Sequence, residues 1–195
     1  MKYFITLSLI LSFLSMTAQD TSEEQLPYYE IPDYPETYTV GTVAARMIDG
    51  LGFRYYWATE GLREEDLAYK PSQDGRTADE TIEHIYGLSK VIVNATLQKP
   101  NKPTDEEEMS FEEKRKQTLI NIKTAADILR ASPDLSEFSI VFERDSGTSE
   151  FPFWNNINGP IEDAVWHCGQ IVLLRRSSGN PFNSKVSVFM GKVRE

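Results

Sequence analysis

The stretch Gly159-Pro160-Ile161-Glu-Asp163-Ala-Val-Trp-His167-Cys-Gly-Gln170-Ile-Val-Leu-Leu-Arg-Arg176 reads as a helix that carries chemistry. Ile161, Ala164, Val165, Cys168, Ile171 and Val172 recur at helical spacing, so one stripe must be buried against neighbouring elements. Proline at the first helical position loses nothing by lacking an amide donor, so Gly159-Pro160 is expected to open the helix. Its end falls near Ser177–Gly179, ahead of Asn180-Pro181.

Upstream, three further segments supply helices for it to pack on. Ala44, Ile48, Leu51, Tyr55, Ala58 and Leu62 keep a 4-3-4-3-4 spacing, which holds a stripe on one face. Tyr55 and Tyr56 read as core. Gly50 and Gly52 each weaken that helix by about 1 kcal/mol relative to alanine, which points to a close approach at that level. Thr77-Ala-Asp-Glu80 is a capping box opening a second helix that runs to about Leu97, and Ser110-Phe-Glu-Glu113 opens a third that Pro133 stops. Between the third and fourth helices, residues 139–144 and 150–154 are aromatic and β-branched around Asp145-Ser146-Gly147-Thr148, a hairpin pattern. The expected fold is all-α: a four-helix bundle over residues 40–195 with a short β-hairpin insertion before its last helix.

Two segments precede this domain. Residues 1–18 join Met1-Lys2 to an apolar run over 3–15 and a small residue at Ala18, the layout of a signal peptide. The run is shorter than the roughly 20 residues a membrane span needs. Cleavage near Ala18 would leave an exported chain, periplasmic or secreted, with no membrane span. Residues 19–39 form an acidic arm in which Pro27, Pro32 and Pro35 alternate with tyrosines. This is either an extended strap against the domain or a disordered linker. Such an arm also suits partner docking or contact in a homodimer.

Composition narrows the chemistry. Thirty acidic against twenty basic residues give a net charge of −10, which argues against nucleic acid as a partner. Two histidines and one cysteine exclude most structural zinc modules, so any metal site must recruit carboxylates. Asp163 stands four residues before His167, about 40° away in projection and one turn along the axis. The two can address one ion, and His84 on a facing helix can supply a third ligand. Two imidazoles and a carboxylate leave a coordination position open. They suit Zn²⁺ or Ni²⁺, with Fe²⁺ also possible on this donor set. The competing reading is a pair of ordinary helical histidines.

The segment Asp163 to Arg176 resembles the last helix of the DinB-like metal-binding four-helix bundles. This superfamily includes thiol-dependent transferases and isomerases that act through bacillithiol or mycothiol. His84 in the second helix, His167-Cys-Gly-Gln170, the loop Leu67-Ala-Tyr-Lys-Pro71 and the helix start at Thr77 carry the likeness, which covers roughly residues 40–190. Asp163 departs from it, standing where the family usually has histidine. The resemblance implies a bundle fold and a metal held by His84, Asp163 and His167. An export signal sits poorly with a low-molecular-weight thiol cofactor, which favours a metal-dependent hydrolase over a transferase. The alternative is a non-catalytic bundle binding a small-molecule ligand or a partner, its metal site structural or vestigial.

Other residues have two readings each. Glu80 and Glu83 are candidate proton acceptors, although the capping box competes for Glu80. Gln170, a turn beyond His167, can hydrogen-bond at the site or serve helix packing. Arg175 and Arg176 can clamp a substrate carboxylate or complement the helix dipole. Trp154, Asn155 and Asn158 can rim a substrate pocket or shape the turn. Cys168 reads as a buried small hydrophobe.

Overall fold

The computed structural model describes residues 25–103 and 107–195. Residues 1–18, expected to be a signal peptide, and the first part of the arm lie outside the described residues. The described residues are mostly helical, with a small hairpin, β1–β2, and a two-residue antiparallel strand pair, β3–β4, near the C-terminus. Its elements are α1 (Val40–Thr59), α2 (Glu64–Leu67), α3 (Ala78–Thr96), α4 (Phe111–Ala131), β1 (Ile140–Arg144), β2 (Gly147–Phe151), α5 (Phe153–Asn156), a wide turn Ile157–Ile161, α6 (Glu162–Ser177), β3 (Val186–Ser187) and β4 (Lys192–Val193).

Both expected capping boxes form. The Thr77 amide donates to Glu80 Oε2 at 2.8 Å and the Glu80 amide to Thr77 Oγ1 at 3.0 Å. Ser110 and Glu113 do the same for α4. At α1 the reciprocal pair is Thr39 and Thr42, where the second hydroxyl does the work of the usual carboxylate. The four long helices then close a ring: α1 packs on α4, α4 on α3, α3 on α6 and α6 on α1. Ile48, Leu51, Tyr55, Ile82, Ile85, Ile92, Leu119, Ile122, Leu129 and Ile171 fill its centre, all fully buried. No described helix is long and apolar enough to cross a membrane.

The arm is a strap from Leu26 onwards. Tyr28 and Ile31 are buried, and the Trp57 indole donates to the Tyr29 carbonyl at 3.1 Å. Ile31 also joins the C-terminal segment through its amide, which donates to Gly191 O at 2.9 Å. This covering explains why Tyr56 and Trp57 are buried although they lie off the stripe read along α1. It also explains Gly52: a Cβ there would stand 2.5 Å from the Tyr28 ring. The ring cannot step aside freely, because its hydroxyl donates to Asp49 Oδ1, which Arg130 of α4 also holds. In an open helix Gly→Ala would stabilise by about 1 kcal/mol. Here Gly52→Ala should destabilise by about 1–3 kcal/mol through overpacking and expose the arm to protease. A melting curve with limited proteolysis checks both, and a more stable protein with a protected arm would contradict the packing.

The hairpin occurs where expected, with Ile140 opposite Phe151 and Arg144 opposite Gly147. Asn101, after α3, ties it down: its amide donates to Val141 O and its carbonyl accepts from Glu143 N. The last helix, in contrast, does not open at Gly159-Pro160. Helical structure already begins at Phe153, behind Pro152 as N-cap, and Pro160 lies inside the wide turn. Proline has no N–H for the i→i−4 ladder, and an i→i+5 turn absorbs the gap. Gly159, at φ −93° and ψ −106°, makes the kink. The kink sits directly before Asp163.

Candidate metal centre

α3 and α6 face each other, and the helical register puts His84 on one and Asp163 with His167 on the other. Asp163 lies between the imidazoles: its Oδ2 is 3.1 Å from His84 Nε2 and its Oδ1 is 3.4 Å from His167 Nε2. The rings meet edge to face with centroids 4.6 Å apart. One ligand atom from each residue lies within 4.8 Å of the others. Tetrahedral bonds of about 2.0–2.1 Å would set ligand atoms about 3.3 Å apart, and the two carboxylate–imidazole separations bracket that value. The cluster can hold a metal ion.

The protonation pattern bears on the same point. His167 Nδ1 donates to Gln170 Oε1 at 2.7 Å. That bond orients the ring and turns Nε2 toward Asp163 Oδ1. Either a proton on Nε2 or a metal ion can stand between that nitrogen and Asp163 Oδ1 at 3.4 Å. Of the two readings of Gln170, the structure therefore shows the polar one: it orients His167. The cluster opens to solvent, with the His84 and Asp163 side chains 37% and 39% exposed and His167 at 13%.

The other candidates are placed elsewhere. Glu80 is occupied by the cap on Thr77, whose backbone amide chiefly holds its carboxyl below the ordinary glutamate range. Glu83 pairs with Lys114 Nζ at 2.7 Å. Arg175, read as a substrate clamp or a dipole partner, stands in the last turn of α6, buried and bonded within the fold. Its guanidinium donates to the Trp57 and Ala58 carbonyls at 3.1 and 3.0 Å, and to Asn180 O and Oδ1. It thus satisfies the orphan carbonyls at the end of α1. Trp154 lines a groove of about 670 Å³ with Tyr38, Val43 and Met47, and no member of the cluster lines that groove. Asn155 and Asn158 are exposed. The neighbouring Asn156 is the buried one, its amide without a hydrogen-bond partner among the described residues. Cys168 is buried, and burial pushes its thiol up to about 12, so it stays protonated and inert.

One network escaped the reading of the sequence. Asp66, fully buried, accepts from the Arg63 amide and guanidinium, the Ser178 hydroxyl and the Asn180 amide. Its one local sign was the Arg63-x-x-Asp66 spacing, which closes a capping box on α2. Partners more than a hundred residues away left no mark in the sequence. Searches among known proteins matched no family model, no curated protein and no solved structure.

Proposed function

We propose that this is an exported protein of the DinB-like type, its helical ring a four-helix bundle, with a divalent transition metal on His84, Asp163 and His167. The observation that carries this reading is the His167 Nε2 facing Asp163 Oδ1 at 3.4 Å while Nδ1 is committed to Gln170. Zn²⁺ and Ni²⁺ suit the donors best, and Fe²⁺ is compatible with them. When bound, such an ion supplies Lewis acidity and, as Zn²⁺, brings a coordinated water's pKa towards about 7. The chain's own part is orientation: Gln170 aims His167, and Asp163 sets the spacing of both imidazoles. Three protein ligands and an open flank favour a metal-dependent hydrolase acting on a small molecule.

A second reading has an observation of its own. With Glu80 and Glu83 both occupied, neither candidate proton acceptor is free, which favours a ligand-binding role without turnover. Elemental analysis of protein purified without chelator or polyhistidine tag tests the metal. About one equivalent of transition metal per chain is expected, and none would sink the proposal. A screen against esters, amides and thiol conjugates then separates the two readings, since turnover by the metal-loaded protein alone supports the hydrolase. N-terminal sequencing of the protein recovered from its producing cells tests export, with a start near Gln19 expected.

A further inference from the structure

Along the flank of α6 that faces α1 runs a cleft of about 370 Å³ that contains none of the metal-cluster residues. The volume lies within the range of small-molecule sites, about 300–1,000 Å³. Phe53 of α1 and Cys168 of α6, both buried, contribute to its floor. Val165 and Val172 extend the apolar lining along α6, and Phe182 and Val188 of the C-terminal segment complete it. Gly169 leaves it wide, because a Cβ at that position would meet nothing within 4 Å.

Two guanidiniums share this apolar lining: Arg54 of α1 and Arg176 in the last turn of α6. Arg54 Nη1 donates to the Gly50 carbonyl of its own helix at 2.9 Å. Neither arginine pairs with a carboxylate among the described residues. Arg63, Arg115 and Arg130, by contrast, pair with Asp66, Glu60 and Asp49. In a chain with thirty acidic residues, two arginines left without an acid beside one apolar cleft are complementary to an anion. A guanidinium matches a carboxylate with two parallel N–H···O bonds, while the valines and phenylalanines offer nothing to a polar body.

We propose that the cleft between α1 and α6 binds a small amphipathic carboxylate. Its aliphatic or aryl tail lies between Phe53, Val172, Phe182 and Val188, and its head is held by Arg54 and Arg176. The site is independent of the metal cluster, which lies where α6 meets α3.

Calorimetric titration of the full chain with decanoate and with 4-phenylbutyrate, below their aggregation limits, tests this. Saturable binding of one equivalent is expected for at least one of them. Decanol, with the same tail and no charge, should bind at least about ten-fold more weakly than decanoate, as should decanoate to Arg54→Gln/Arg176→Gln. Gly169→Leu fills the open space on a helix that prefers leucine to glycine, so it should keep the fold and melting temperature and lose binding. Absence of saturable binding by either probe would overturn the proposal. So would decanol binding as tightly as decanoate, or decanoate affinity unchanged in the arginine or glycine variant.

Discussion

Alanine at position 66 is expected to remove about 3–5 kcal/mol of stability, the range for breaking a buried ionic network. For a chain of this size that lowers the melting temperature by roughly 6–20 °C. Asp66 is fully buried and joins three elements: α2 through Arg63, the end of α6 through Ser178, and the following segment through Asn180. Asn180 in turn accepts from Arg175, whose guanidinium caps the carbonyls at the end of α1. Burial lowers the Arg175 pKa and the Asp66 charge raises it. Removing Asp66 therefore takes away the larger of the two acidic charges, Asp66 and Glu60, that offset the burial of Arg175, and leaves several donors unmatched.

The pH dependence has a definite sign. The Arg63 guanidinium first, then the Ser178 and Asn180 donors, hold the Asp66 carboxyl well below the ordinary aspartate range. A depressed folded pKa contributes stability that is present above the unfolded value of about 3.9 and is lost as pH falls toward the folded one. The wild-type melting temperature should drop steeply below about pH 4, and Asp66→Asn should flatten that limb while lowering the plateau. Melting curves from pH 7 to pH 2 measure both. A variant that keeps the full acid limb and the plateau would show that the network contributes nothing.

His167→Ala is expected to abolish metal binding under the proposed function. A ligand that binds only the folded state, at a hundred times its Kd, stabilises by about 2.7 kcal/mol, or roughly 5–10 °C here. The wild-type protein should show that rise with Zn²⁺ or Ni²⁺, and His167→Ala and His84→Ala should show none. Gln170→Ala replaces no proposed metal ligand but removes the partner that orients the His167 ring, so affinity should fall about 10- to 100-fold. Asp163→Asn keeps the shape and removes the charge between the imidazoles. It should weaken binding without unfolding the protein. A metal-induced rise that survives His167→Ala would place the ion elsewhere.

Much of the site was legible because its signals are short-range. Asp163 and His167 stand one turn apart on one helix, and the pairing of Gln170 with His167 spans three residues. The caps at Thr77–Glu80 and Ser110–Glu113 and the hairpin at Gly147 are equally local. His84 was the hardest member to place, being 79 residues from Asp163. Only the helical registers of α3 and α6, once packed, bring it within 3.1 Å. Arg175 kept two readings in the sequence for the same reason. A cation in the last turn of a helix has a ready local explanation, yet its partners at Trp57 and Ala58 lie 118 and 117 residues away.

By itself, the amino-acid sequence determined the four long helices, the caps at Thr77 and Ser110 and the i,i+4 pair at Asp163 and His167, because hydrogen bonds within three or four residues govern these, and it marked the hairpin through its turn residues. Tertiary structure alone decided which faces are shared. It laid Tyr28 on Gly52, sealed Asp66 beneath Arg63 and Asn180, and turned α6 so that its histidine meets α3 while its Arg176 borders, with Arg54 of α1, the cleft between α1 and α6. It also moved the start of the last helical run back to Phe153, since packing can hold a kinked turn around Pro160 that local rules would have ended. Side chains far apart along the chain meet only when buried apolar surface fixes the helices against one another.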